Sequence, residues 1–276
     1  MRTIGAATRL AAVIGSPVAH SLSPALHNAA FAAAGLDWRF MAFEVAPGAA
    51  PEALAAMRTL GIRGLAVTMP HKADMADAVD RLDAAAAALR SVNTVVLDDD
   101  GSTLGSSTDG DGFVASLGAE GVEVEGRRVV LIGAGGAARS IVDALGRAEV
   151  ADIAIVNRTV DAALTASELA VAARVGTDVD IAHADILVNA TSIVMAGDDL
   201  PVPVEVLRDS LVVADIVYHP LATALLRAAR AAGATVVDGL GMLVHQAVLQ
   251  QERWTGHRPD PAVMRAAALD QLPSTP

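Results

Sequence analysis

The residues that could carry chemistry fall in a few short stretches. Gly133-Ala134-Gly135-Gly136-Ala137-Ala138 follows the apolar run Val129-Val130-Leu131-Ile132 and precedes a helical pattern. It fits G-x-G-x-x-G/A with alanine last. The glycines of such a loop let the backbone approach a pyrophosphate seated on a helix N-terminus. The same glycines also suit a tight strand-to-helix turn with no ligand. Asn157-Arg158-Thr159 closes the next apolar run, Ile153–Val156, where an adenosine ribose would lie. An acidic residue there would bind a free 2′-hydroxyl, whereas an arginine accommodates a 2′-phosphate. Arg158 therefore marks NADP, its alternative being a solvated surface arginine, and Asp161 nearby pulls the other way.

Three further stretches could handle a substrate. Ser21-Leu22-Ser23-Pro24 places two hydroxyls at a helix start, with Ser23 expected as the N-cap and Pro24 in the first helical position. Hydroxyl donors and a helix dipole make a seat for a carboxylate. Capping alone accounts for Ser23 but leaves Ser21 unexplained. Thr68-Met69-Pro70-His71-Lys72 follows the strand-like Gly64–Thr68, and the proline turns the chain at the strand's end. Ligands sit at that end in α/β sheets. Lys72 is a candidate proton carrier there, or a plain surface lysine; His71 reads as a neighbour without a chemical role. In Thr108-Asp109-Gly110, just before a helix, Asp109 is either an N-cap or a partner for Lys72. Together they supply what ketone reduction needs. Hydride delivery builds negative charge on the carbonyl oxygen, a proton donor neutralises it, and a carboxylate orients the ammonium.

The elements that must position these residues alternate between two periods. Strands are expected at Leu10–Ile14, Phe40–Val45, Gly64–Thr68, Val92–Leu97 and Thr103–Ser106, with helices at Pro24–Ala34, Pro51–Leu60 and Ala73–Leu89, the last as one helix or two. Asp98-Asp99-Asp100-Gly101 is a turn signal that makes the last two strands a hairpin and the sheet mixed. A second series follows: strands Val129–Ile132, Ile153–Val156, Ile186–Val188, Leu211–Asp215 and Thr235–Val237, with helices Ala137–Arg147, Ala162–Ala173 and Ala222–Ala232. That is a doubly wound pattern. Helices Met242–Trp254 and Pro261–Leu269 have no strand after them and are expected to pack back on the first series. The fold class is α/β in two domains, one with a mixed sheet and one Rossmann-like; the Pro273–Pro276 tail is expected to fray.

Composition excludes several classes. The 276 residues are 53% hydrophobic and 19% charged, enough apolar surface for a core. A net charge of −12 with no Lys/Arg cluster argues against nucleic acid. The absence of cysteine removes disulfides, thiolate metal sites and a thiol nucleophile, and the seven histidines lack H-x-x-x-H spacing, so no metal is expected. Met1–Leu10 makes a poor signal peptide, and no stretch reaches the roughly 18 apolar residues of a membrane span. The expectation is a soluble, cytoplasmic protein, monomer or homodimer, with a small-molecule substrate and no membrane partner.

Over nearly its whole length the sequence resembles the shikimate dehydrogenase family. The resemblance is carried by Ile14-Gly15-Ser16-Pro17, His20-Ser21-Leu22-Ser23-Pro24, Val67-Thr68-Met69-Pro70-His71-Lys72, Val92-Asn93-Thr94 and Thr108-Asp109-Gly110. It continues through Gly133–Arg139, Asn157-Arg158-Thr159, Asn189-Ala190-Thr191-Ser192, Asp215-Ile216-Val217-Tyr218-His219-Pro220 and Gly239–Ala247. It implies reversible NADPH-dependent reduction of 3-dehydroshikimate to shikimate, with quinate and NAD, or a non-catalytic shikimate-sensing homologue, as alternatives. It implies a substrate-binding domain over 1–112 completed by helices in 242–276, and an NADP-binding Rossmann domain over 113–241. Ser21 and Ser23 would hold the substrate carboxylate, Thr68, Asn93, Asp109 and Gln246 its hydroxyls and carbonyl, and Tyr218 would lie on the substrate side. Lys72 with Asp109 would be the catalytic pair. Gly133 to Ala137, Asn157, Arg158, Thr159, Asn189 to Ser192, Ile216, Gly239 and Met242 would contact the cofactor. Ala66 and Ser107 stand where the family usually has asparagine, and Asp161 and Ala162 where it often has a second arginine; these departures bear on substrate and cofactor preference.

Overall fold

In β1 (Arg9–Gly15) alternate residues go to opposite faces of a sheet: Ala11 and Val13 join one apolar cluster, Ala12 and Ile14 another. The strand is thus buried on both sides, which explains its unbroken apolar run. The computed structural model describes residues 3–191 and 200–272; Ser192 and the Pro273–Pro276 tail lie outside the described residues. The chain divides into two compact units, Met1–Thr108 with Gln246–Pro276, and Asp109–His245.

The first unit continues with α1 (Ser23–Ala33), β2 (Trp38–Glu44), α2 (Ala50–Leu60), β3 (Gly64–Val67), α3 (Lys72–Ala78), β4 (Arg81–Leu82), α4 (Ala84–Leu89), β5 (Thr94–Leu97) and β6 (Thr103–Ser106). Among the described residues its sheet runs β2-β1-β3-β5-β6-β4. β1 lies parallel to β2 and β3, and the β5–β6 hairpin is antiparallel to β3, so the sheet is mixed. Of the one helix or two expected over Ala73–Leu89 the structure has two, α3 and α4, parted by β4. There Asp80 accepts hydrogen bonds from the Thr103 N–H (2.7 Å) and hydroxyl (2.8 Å), which draws the chain onto β6.

The second unit holds α5 (Asp109–Ala119), β7 (Arg128–Ile132), α6 (Gly136–Arg147), β8 (Asp152–Val156), α7 (Val160–Ser167), β9 (Ala173–Val175), β10 (Ile186–Asn189), β11 (Val212–Asp215), α8 (Ala224–Ala231) and β12 (Thr235–Val237). Its strands are all parallel in the order β12-β11-β10-β7-β8-β9, the doubly wound order with the chain reversing direction across the sheet between β7 and β10. Val129, Leu131, Ile153 and Ile155 face one apolar cluster; Val130, Ile132, Ala154 and Leu187 face the other. The helix expected to reach Ala173 stops at Ser167. Ala173–Val175 instead pairs with β8, where the Ile153 N–H donates to the Ala172 carbonyl (2.8 Å); strand pairing outweighs the helix propensity of alanine.

α9 (Gly239–Thr255) starts three residues before its expected Met242, where the Asp238 carboxylate accepts from the Gly241 N–H (3.2 Å). From Gln246 onward it belongs to the first unit, as does α10 (Pro261–Leu269), which packs on α1. Trp254 anchors that return: its indole N–H donates to the Val95 carbonyl (3.0 Å), and its ring fills the space that a Cβ on Gly64 would need. No helix among the described residues is long and apolar enough to cross a membrane.

Candidate active site

The residues singled out in the first unit leave one end of its sheet. β1 and β3 run parallel with Ile14 opposite Val67, so Gly15 and Thr68 exit side by side. They are so close that a Cβ on Gly15 would overlap the Thr68 methyl, and the Ser16 N–H donates to the Met69 carbonyl at 2.9 Å. β5 is antiparallel to β3 and β6, which brings its first residue, Thr94, opposite Ala66 and Ser106 at the same end. Asn93 and Thr108 therefore flank each other. Asn93 is buried; its Oδ1 accepts from the Thr108 N–H (2.9 Å) and Thr94 hydroxyl (2.8 Å), and its Nδ2 donates to Thr108 Oγ1 (3.0 Å). The Thr108 hydroxyl reaches the Gln246 carbonyl at 3.3 Å, placing α9 against the same cluster.

Lys72 opens α3, and its carbonyl accepts from the Val92 N–H (2.9 Å), tying its backbone beside Asn93. His71 before it is buried and bonds the Val45 carbonyl through Nε2 at 2.9 Å, which locks the turn that presents Lys72. The helix cap expected at Ser23 falls on Leu22, with Ser23 in the first turn. Ser21 does the local work instead: its hydroxyl accepts from the Ser23 N–H at 3.3 Å. Both serines remain at the N-terminus of α1, whose cap residue Leu22 offers no side-chain acceptor. Ala66 and Ser107 are both buried, Ala66 within the apolar cluster around Trp38 and Trp254.

Sequence reasoning missed the support behind this surface. His27 on α1 is fully buried, 4.4 Å from the Phe40 ring, with Nε2 3.3 Å from Gln250 Oε1 and Nδ1 3.3 Å from Gln251. The Gln250 amide nitrogen donates to the Asn93 carbonyl (3.2 Å), so its oxygen faces His27 and Nε2 carries the proton. Nδ1 then accepts, which calls for the Gln251 amide nitrogen to turn toward it; that nitrogen otherwise lacks a partner. Burial holds His27 down from 6.5 to about 4. The unfolded chain binds this proton below pH 6.5 and the folded one only near 4, so stability is full above 6.5 and falls as pH drops through that window. The expected loss is about 3 kcal/mol. Denaturant unfolding between about pH 7 and 4 should show it, and His27→Gln should flatten that stretch of the curve. An equal slope in both proteins would show that His27 is not the responsible group.

In the second unit the singled-out residues gather at the carboxyl ends of the strands. Gly133 has φ +109°, and a Cβ there would meet the Ala190 carbonyl at 2.9 Å, so the fold itself needs this glycine. Gly135 and Gly136 differ. Neither has positive φ, and a Cβ on either would meet nothing within 4 Å. Gly135 caps α6 with no side-chain acceptor, and both glycines are exposed among the described residues, so the helix start is uncapped, as phosphate binding requires. Ala134 and Ala137 are half-buried on either side, and Ala138 packs helix on sheet. Asn157 donates to the Thr159 carbonyl (2.8 Å), forming a turn with Arg158 exposed at its tip; among the described residues Arg158 has no bonded acceptor. Thr191, at the switch point, bonds Asn189 Oδ1 through its hydroxyl (2.7 Å), and its methyl approaches the position a Gly133 Cβ would take. Ile216, Gly239 and Met242 border one crevice with Phe113, Ser116 and Asp238. Burial raises the Tyr218 hydroxyl above its usual pKa, keeping it protonated at neutral pH.

Asp109 opens α5 itself instead of preceding it. Gly110 next to it lies so close to the Ser140 carbonyl of α6 that no side chain fits, which fixes the start of α5 on α6. Lys72 belongs to the first unit and Asp109 to the second.

A parallel doubly wound sheet with a glycine turn at its switch point puts the second unit in the Rossmann class of α/β folds. Family profiles agree along the chain: the shikimate dehydrogenase substrate binding domain over residues 13–95, shikimate / quinate 5-dehydrogenase over 116–196, and the shikimate 5′-dehydrogenase C-terminal domain over 239–269. A shikimate dehydrogenase (NADP(+)) of Rubrobacter xylanophilus is 46% identical over 270 residues, covering 94% of this chain and 95% of its own length. Shikimate 5-dehydrogenase from Thermus thermophilus, solved with NADP(H) and shikimate, superimposes with TM-score 0.90 at 35% identity over 96% of this chain and 100% of its own. The ligand-free 5-ketofructose reductase of a Gluconobacter species does so with TM-score 0.88 at 34% identity over 96% and 99%. The chain belongs to the shikimate dehydrogenase family.

Proposed function

We propose that this chain catalyses the reversible reduction of 3-dehydroshikimate by NADPH to shikimate. The observation that carries the cofactor half is the pair Gly135 and Gly136, which neither backbone angle nor packing requires to be glycine and which leave an uncapped helix N-terminus open. When bound there, the dinucleotide gives or takes a hydride. The substrate half rests on Ser21 and Ser23 at the α1 N-terminus, a seat for a carboxylate, and on Thr68, Asn93 and Gln246 around the same sheet end, suited to hydroxyls. In the reducing direction Lys72 gives a proton to the carbonyl oxygen as it becomes an alcohol, and takes it back in reverse, with Asp109 orienting the ammonium. Tyr218 adds a protonated hydroxyl donor on the substrate side. The first unit with its returning helices serves the substrate, the second the cofactor. The reaction belongs in the cytoplasm, where a chain without cysteine loses nothing, on a monomer or homodimer with no nucleic-acid partner.

The test is the purified protein assayed with shikimate and quinate against NADP and NAD. The highest kcat/KM is expected for shikimate with NADP. A second reading, another polyhydroxylated ketone such as dehydroquinate, is favoured by Ala66 and Ser107 and by the likeness to a 5-ketofructose reductase. A higher kcat/KM for quinate would select it. Arg158→Ala should weaken NADPH binding about 10- to 100-fold, the loss of one or two charge-assisted hydrogen bonds, and leave NADH nearly unchanged. Equal losses for both nucleotides, measured by fluorescence titration, would remove Arg158 from the 2′-phosphate.

A further inference from the structure

Asp215 ends β11 with 1% of its surface exposed. Its Oδ1 accepts from Asn189 Nδ2 (3.0 Å) and the Val217 N–H (3.1 Å), and its Oδ2 from the Thr223 hydroxyl (2.8 Å). All three donors are neutral, and among the described residues no cation pairs with it. Thr223 also accepts from the Leu226 N–H (3.3 Å), capping α8. The carboxylate thus staples β10, β11 and α8. An asparagine would tie the same three elements, with the bond to Thr223 reversed, without burying a charge, and burial does push the Asp215 carboxyl above the usual carboxylate range. The staple explains the shape of the side chain but not its charge.

Its position offers a reason. Asn189 and Asp215 are register partners at the carboxyl ends of adjacent strands, and Asp215 borders the crevice of Ile216, Gly239 and Met242. In the proposed function, on which this inference rests, Ile216, Gly239 and Met242 would lie against the nicotinamide, and Asp215 borders them. The oxidised ring carries one more positive charge than the reduced ring. We propose that the buried Asp215 carboxylate sets the preference of the cofactor site for the oxidised over the reduced dinucleotide. A fixed anion in a poorly screened environment attracts the cationic ring and leaves the neutral one unaffected. Asp238 borders the same crevice and has the same sign, but it is partly exposed and therefore more screened.

The test measures dissociation constants of NADP+ and NADPH for the intact protein without substrate, by titration calorimetry. Asp215→Asn should raise the NADP+ constant about tenfold and change the NADPH constant less than twofold, with a cooperative melt retained. In that variant Oδ1 still accepts both N–H groups, and the new amide can donate to Thr223. Thr223→Val, which removes a bond but keeps the charge, should hold the ratio of the two constants within twofold. If Asp215→Asn does not fold, Asp215→Ser supplies the neutral variant with the same expected shift. Equal changes for both nucleotides, no change, or a tenfold swing in Thr223→Val would overturn the proposal. If the unaltered protein binds neither nucleotide, the functional reading falls and takes the inference with it.

Discussion

Lys72→Met should lower kcat for shikimate oxidation by about three orders of magnitude, within the range for losing a positioned acid/base. Methionine keeps the apolar stem and removes only the group that carries a proton. Lys72 is half-buried at the start of α3, and its backbone is held by the Val92 N–H, so the turn survives the change. The melting temperature should move by no more than a degree or two, and KM should change far less than kcat, because the carboxylate and hydroxyl contacts proposed for Ser21, Ser23 and Asn93 are untouched. Steady-state kinetics beside a thermal melt separates these effects. Turnover within threefold of the unaltered protein would unseat Lys72, and it would favour a module that binds shikimate without transforming it.

Gly135→Ala is expected to produce the second large effect, on cofactor affinity alone. Gly135 lies at φ −76°, ψ −175°, a conformation any residue adopts, and a Cβ there touches no protein atom within 4 Å. Stability should therefore stay within about 0.5 kcal/mol. In the proposed cofactor site the added methyl would take the space through which a pyrophosphate reaches the α6 N–H groups, so the NADPH dissociation constant should rise about 100-fold. Gly133 provides no such separation, since its positive φ and the nearby Ala190 carbonyl make it necessary to the fold. A Gly135→Ala protein with unaltered melt and unaltered NADPH affinity would reduce the loop to a strand-to-helix turn.

The contrast between these glycines shows how much of the site is legible in the sequence. The motif Gly133 to Ala138 reads from spacing alone because phosphate recognition by backbone is a local affair of strand, turn and helix. Which glycine serves the fold and which leaves room for a ligand depends on the Ala190 carbonyl, far along the chain, and no local pattern carries that. The end of α7 escapes local reading for a similar reason: alanine-rich sequence favours helix, but β8 offers Ala173–Val175 a partner. Ser23 has the local signature of a cap because serine precedes proline, yet the helix takes Leu22 and the Ser21 hydroxyl assumes the bonding.

By itself the sequence determined the alternation of strands and helices, the apolar runs that need burial on both faces, and the short polar stretches placed just after strands. These follow from side-chain period and backbone preference, which act over a few residues. Tertiary structure alone decided the strand orders, the convergence of Thr68, Asn93 and Thr108 at one sheet end, the His27 contact with Gln251 across 224 residues, and the burial of the Asp215 carboxyl among neutral donors. Burial and hydrogen bonding between distant segments set these, because desolvation depends on what the whole chain brings to a place, and no window of sequence contains it.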